Sequence, residues 1–92
     1  MKKYEIRISG TYFRIKNREK TDEELDKTIT GILVALLPEE AEELCLIQKK
    51  TAKGIRYQFE TDAFNEEAEE TIRTLFRRSN NKRIKAVLII CP

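Results

Sequence analysis

Ninety-two residues suffice for one domain, residues 1–92, and leave no room for a second core. Hydrophobic residues make up 40% of the chain and charged residues 37%, against ordinary shares of ~45–50% and ~25%, so one modest core should lie beneath a densely charged surface. With 18 basic and 16 acidic residues the net charge is +2, which selects no partner by itself, and the lack of histidine excludes imidazole catalysis and histidine-ligated metals.

The longest apolar run, Ile29 to Leu37, is broken by Thr30 and Gly31 and falls well short of the ~18–20 residues of a membrane span. Tyr4, Glu5 and Arg7 stand where a signal peptide would need an apolar stretch. A cytoplasmic protein without membrane contact is expected. Cys45 and Cys91 are isolated and sit in apolar runs, which predicts two buried free thiols and no metal site. No cofactor-binding motif is present, so no cofactor is expected.

Along the chain, Tyr4, Ile6 and Ile8 alternate with Glu5, Arg7 and Ser9 as in a strand. Gly10 interrupts, and Tyr12, Phe13 and Ile15 resume. Two readings fit: one strand bulged at Gly10, or a hairpin turning there. Thr21 to Glu24 reads as a capping box. Leu25, Ile29, Ile32, Leu33 and Leu36 then form one helical face, with Gly31 allowing a close approach to a sheet. Pro38 stops this helix and opens an acidic turn, Glu39 to Glu43. Leu44 to Lys50 reads as a second strand, apolar on both faces. Thr51 to Gly54 is a turn. Ile55, Tyr57 and Phe59 mark the buried stripe of a third strand. Asp62 or Asn65 caps a second helix, with Phe64, Ala68, Ile72, Leu75 and Phe76 on its apolar face. Ser79, Asn80 and Asn81 end it, since asparagine tolerates a left-handed stop. Ile84 to Cys91 is the last strand.

This order predicts an α+β fold of the ferredoxin-like split βαβ type (βαββαβ). An antiparallel sheet would carry both helices on one face, with an extra N-terminal strand if Gly10 turns a hairpin.

Segment charges are more informative than the total. Residues 1–20 carry +5, 21–47 carry −7, 48–59 carry +4, 60–70 carry −6 and 71–92 carry +6. On the expected fold three connections share one end. They hold Lys16, Arg18 and Lys20; Lys49, Lys50 and Lys53; and Arg77, Arg78, Lys82 and Arg83. The other end holds Glu39, Glu40, Glu42, Glu43, Glu60, Asp62, Glu66 and Glu67. The molecule should therefore be bipolar. Helix-dipole complementation accounts for the charges at helix ends but not for the lysines of the connections.

Lys53-Gly54-Ile55-Arg56-Tyr57-Gln58-Phe59-Glu60 resembles the Lys-Gly-aromatic third strand of RNA-recognition-motif domains, and Ala63 to Leu75 resembles the helix that follows it. The resemblance implies the same element order. The chain departs from that family at Ile55, where an aromatic is expected, and at Arg56, where a small residue is expected. Because Ile55, Tyr57 and Phe59 alternate together, they are assigned to the helix-packed face and would not stack on bases. The opposite face would offer Arg7, Arg56, Gln58 and Lys85, leaving Tyr12 and Phe13 as the exposed rings.

No residues are arranged for catalysis, so the chain is read as a non-enzymatic binding protein. The leading expectation is engagement of an RNA or DNA phosphate backbone, or of a nucleoprotein machine as an inhibitor. Lys16, Arg18, Lys20, Lys49, Lys50, Lys53, Arg56, Arg77, Arg78, Lys82 and Arg83 would carry it. The alternative is a homodimeric protein-interaction module. Its interface would be an apolar patch of Cys45, Ile47, Val87 and Ile89 on the sheet face away from the helices.

Overall fold

A computed structural model of the chain describes residues 2–14, 19–37 and 44–91. The elements are β1 (Lys2–Ser9), a 3-10 turn (Thr11–Arg14), α1 (Glu19–Leu36), β2 (Ile47–Thr51), β3 (Gly54–Thr61), α2 (Glu66–Ser79) and β4 (Lys85–Cys91). Together they make an α+β fold with one four-stranded antiparallel sheet, ordered β2-β3-β1-β4, and two helices.

The alternation in β1 and β3 decides the core. Tyr4 lies opposite Phe59, Ile6 opposite Tyr57, and Ile8 opposite Ile55. Directly opposed residues share a face, so all six side chains point the same way, and all are buried. Ile29 and Leu33 of α1 and Ile72 and Phe76 of α2 complete the same core cluster. Each such side chain, taken fully out of water, stabilises the fold by about 1.5–3 kcal/mol. Both helices lie over this face. Tyr57 donates its hydroxyl to Asp26 of α1, and Tyr4 donates to Glu69 of α2 at 2.7 Å. Tyr4 stacks on Phe59 (5.2 Å between centroids), and Phe64 meets both rings edge-on.

The sheet has four strands, and Gly10 is neither a bulge nor a hairpin turn. Its φ of 136° turns the chain into the 3-10 segment. A Cβ there would stand 2.2 Å from the Arg83 carbonyl oxygen, so only glycine permits this approach. The Thr11 and Tyr12 amides donate to the Lys82 and Arg83 carbonyls. This carries Tyr12 and Phe13 into the core, against each other edge-to-face at 5.1 Å. They are not the exposed rings that alternation suggested.

Other boundaries also move. Thr21 lies inside α1 rather than at its start. Gly31 is exposed, with nothing within 4 Å of where its Cβ would stand, so it makes no close approach to the sheet. β2 begins at Ile47, not Leu44, and all five of its residues are exposed. Asn65, rather than Asp62, caps α2, its Oδ1 accepting the Ala68 amide at 2.9 Å. Asn80 ends α2 with extended backbone (φ −66°, ψ 135°) rather than a left-handed turn. Pro38 and the acidic turn Glu39 to Glu43 lie outside the described residues.

Candidate nucleic-acid interface

The face of the sheet turned away from α1 and α2 is set by the register. Its rows, read from β2 through β3 and β1 to β4, are as follows. Nearest the β2–β3 hairpin lie Thr51, Gly54, Ser9 and Lys85. Next come Lys49, Arg56, Arg7 and Val87. Beyond them lie Ile47, Gln58, Glu5 and Ile89. Neighbouring strands are about 4.8 Å apart, so Lys49, Arg56 and Arg7 form a cationic row about 10 Å long. All three are exposed. Lys53 in the hairpin turn and Lys85 extend the row toward the basic end.

Like charges set side by side on adjacent strands repel. Glu5 offsets part of this. Its carboxylate accepts from Arg7 Nε and, at 3.1 Å, from Gln58 Nε2. These bonds, and the nearby Arg56 charge, hold the Glu5 pKa below its ordinary value against the opposing effect of burial. Among the described residues no carboxylate bridges Lys49 or Arg56.

The residues singled out in the sequence separate into groups. Lys49, Lys53 and Arg56 come together at the hairpin end of the open face. Lys82 and Arg83 lie at the same end of the sheet, before Lys85, which is level with Ser9. Lys50 does not join them. It is paired with Ile55 and faces the helices, where its Nζ lies 3.9 Å from Oδ2 of buried Asp22. Arg77 and Arg78 occupy the last turn of α2, and Arg77 is held by Glu70 at 2.5 Å. Lys16 and Arg18 lie outside the described residues, and Lys20 falls in the first turn of α1.

The supposed apolar patch is not continuous. Ile47 (55% exposed) flanks the face on β2, and Val87 (53%) and Ile89 flank it on β4. The polar row Gln58–Glu5 and the two arginines lie between them. Cys45 is exposed and Cys91 half-buried, so neither is a fully buried thiol. Both line a shallow depression of about 470 Å³ with Lys3, Ile47, Gln58 and Glu60. They lie at opposite edges of the sheet, with β3 and β1 between them, beyond the reach of a disulfide.

Sequence reasoning missed the buried carboxylates. Glu69 is buried and accepts from Tyr4 and from Lys2, the latter at 3.0 Å. Those bonds hold its pKa below the ordinary value, although burial pulls the other way. The signal was available: Glu69 precedes Ile72 and Phe76 by three and seven positions, on the apolar stripe of α2. Asp22 stands seven residues before Ile29 on the stripe of α1.

Among the described residues no group of three Cys, Asp or Glu side chains converges as metal ligands. No helix among them is long and apolar enough to cross a membrane. No family model, curated protein or solved structure matches this chain.

Proposed function

We propose that this protein binds the phosphate backbone of a nucleic acid, without enzymatic activity, through the hairpin end of its open sheet face. The supporting observation is the row Lys49, Arg56 and Arg7, exposed and side by side on the face turned away from α1 and α2. Cations at this spacing neutralise successive phosphates and release counterions, which gives affinity with little sequence preference. Among the described residues this face carries no aromatic side chain, so base stacking contributes nothing to the reading. The same row serves an inhibitor that occupies the nucleic-acid path of a nucleoprotein machine. The strand order β2-β3-β1-β4 and the placement of both helices on one face support assignment to the ferredoxin-like split βαβ arrangement. The free thiols Cys45 and Cys91, kept apart at opposite edges of the sheet, support a cytoplasmic location.

The test is fluorescence anisotropy of labelled single-stranded RNA and duplex DNA over a salt series. The expected result is binding at low salt that weakens with a log–log slope of about −3. The double variant Lys49→Glu, Arg56→Glu should abolish it. Absence of binding to both ligands at low salt, or binding that survives the reversal, would overturn the reading.

A further inference from the structure

The outer edge of β4 is covered by the chain's own connection at its start and open beyond it. In antiparallel pairs, alternate residues direct both backbone groups toward or away from the neighbouring strand. Both the N–H and the C=O of Ala86 are taken by the Asn80 side chain, at 2.8 and 3.0 Å. Ala86 therefore faces away from β1, and so do Leu88 and Ile90. The Ile84 carbonyl is also occupied, by the Asn81 amide at 3.0 Å. The α2–β4 connection thus covers the start of the edge and stops at Ala86. Among the described residues nothing takes up the outward groups of Leu88 and Ile90.

The two edges of the sheet differ. β2 is short and carries Lys49 and Lys50, features that discourage strand addition. β4 is longer, and its only charge is Lys85 at the start. Val87 and Ile89 stand on its open side.

We propose that β4 pairs antiparallel with β4 of a second copy of this chain, about a two-fold axis at Ile89. The register follows from which groups remain free. Centring on Leu88 would set Ile90 against Ala86, which Asn80 already occupies. Centring on Ile90 would set Leu88 against Pro92, which has no N–H. Centring on Ile89 sets Leu88 against Ile90 of the other copy, and the two residues exchange both N–H···O=C bonds. Ile89 then meets its own counterpart on the open face, and Val87 meets Cys91.

Charge on α2 selects the same partner. Arg73, Phe76 and Arg77 line a groove with Ala86, Val87 and Leu88, so this side of α2 looks toward the β4 edge. Glu70, bridged to Arg77, and Glu66 continue that side toward the helix start. The stripe is acidic in its first half and basic in its second. The two-fold axis sets the helices antiparallel, with Glu66 and Glu70 of one copy beside Arg77 and Arg73 of the other. A second copy is complementary in both backbone and charge.

Sedimentation velocity over a dilution series tests this on the full chain. The expected result is a doubling of apparent mass as concentration rises toward about 100 µM, where even a weak pair with a micromolar dissociation constant is mostly assembled. Ile89→Lys, which sets two ammonium groups face to face, should return the monomer with an unchanged circular dichroism spectrum. A second test uses only helix-surface residues. Arg73→Glu with Arg77→Glu, and separately Glu66→Arg with Glu70→Arg, should each be monomeric. An equimolar mixture should recover the dimer as a heterodimer. A wild-type chain that stays monomeric overturns the proposal. So does a dimer that survives Ile89→Lys, or a mixture that fails to associate.

Discussion

Asn80 holds Ala86 by both of its backbone groups, its amide donating to the carbonyl at 3.0 Å and its oxygen accepting the N–H at 2.8 Å. One side chain thus performs the pairing that another strand would supply. It ties the end of α2 to the second residue of β4, while Asn81 caps the turn between them by accepting from Arg83 and Ile84.

Asn80→Ala removes two hydrogen bonds and leaves Ala86 unpaired at the edge. A loss of about 1–3 kcal/mol is expected, which lowers Tm by roughly 4–8 °C per kcal/mol in a domain of this size. Asn81→Ala should also destabilise the fold, without freeing the edge at Ala86. Thermal melts of the two variants check the magnitude. Hydrogen exchange checks the location, with protection lost at Ala86 in the first variant alone.

Glu69 and Tyr4 form a coupled pair across the core, and a double-mutant cycle should show it. Glu69→Gln leaves a buried amide beside Lys2 and should cost about 1–3 kcal/mol. Tyr4→Phe should cost somewhat less, since Lys2 still reaches the carboxylate. The double variant should be more stable than the sum of the single losses implies, because each change removes the other's partner. Denaturant unfolding measures all three. Simple additivity would place the Tyr4 hydroxyl and the carboxylate in independent roles.

The same groups set the pH limits of stability. The Glu5 and Glu69 carboxyls have lowered pKa values, through hydrogen bonds from Arg7 and Tyr4 respectively. Their contribution is present above the ordinary carboxylate value of about 4.3 and is lost as the pH falls through the depressed folded value. Tyr4 and Tyr57 have raised values, first because they are buried and then because their hydroxyls donate to Glu69 and Asp26. Their contribution is complete below the ordinary tyrosine value of about 10 and is lost as the pH rises beyond it. Tm should therefore fall at both extremes. Tyr57→Phe should flatten the alkaline limb and leave the acid limb unchanged.

The parts of this fold legible in the sequence are those set by periodicity. Alternation at Tyr4, Ile6 and Ile8, and at Ile55, Tyr57 and Phe59, identified the core face, because a period of two admits one buried side. Ile29, Leu33, Ile72 and Phe76 were identified by helical spacing for the same reason. What stayed hidden depends on contacts far apart in the chain. Gly10 becomes a sharp turn because the Arg83 carbonyl approaches it from another connection. Cys45 read as a buried thiol because it sits in an apolar run, yet it lies just before an edge strand and is exposed. Lys49 and Lys50 look equivalent in sequence, and only the sheet register sends one to the open face and the other to Asp22.

That last distinction gives the sharpest separation of binding from folding. Lys50 lies 3.9 Å from a carboxylate that is itself buried. Removing the cation leaves Asp22 with less compensation inside the fold. Lys50→Glu adds a second negative charge beside it and should lower stability clearly, by about 1–3 kcal/mol given that Lys50 remains half in solvent. Lys49→Glu changes an exposed side chain on the open face and should leave Tm within about 2 °C, an effect below ~0.5 kcal/mol. Nucleic-acid affinity should show the reverse order. Lys49→Glu should weaken binding and reduce the magnitude of the salt slope by about 1. Lys50→Glu, measured well below its Tm, should leave the slope unchanged. If both reversals reduced the slope equally, the anion would be reading the hairpin as a diffuse cluster rather than the row that Lys49, Arg56 and Arg7 form on the sheet.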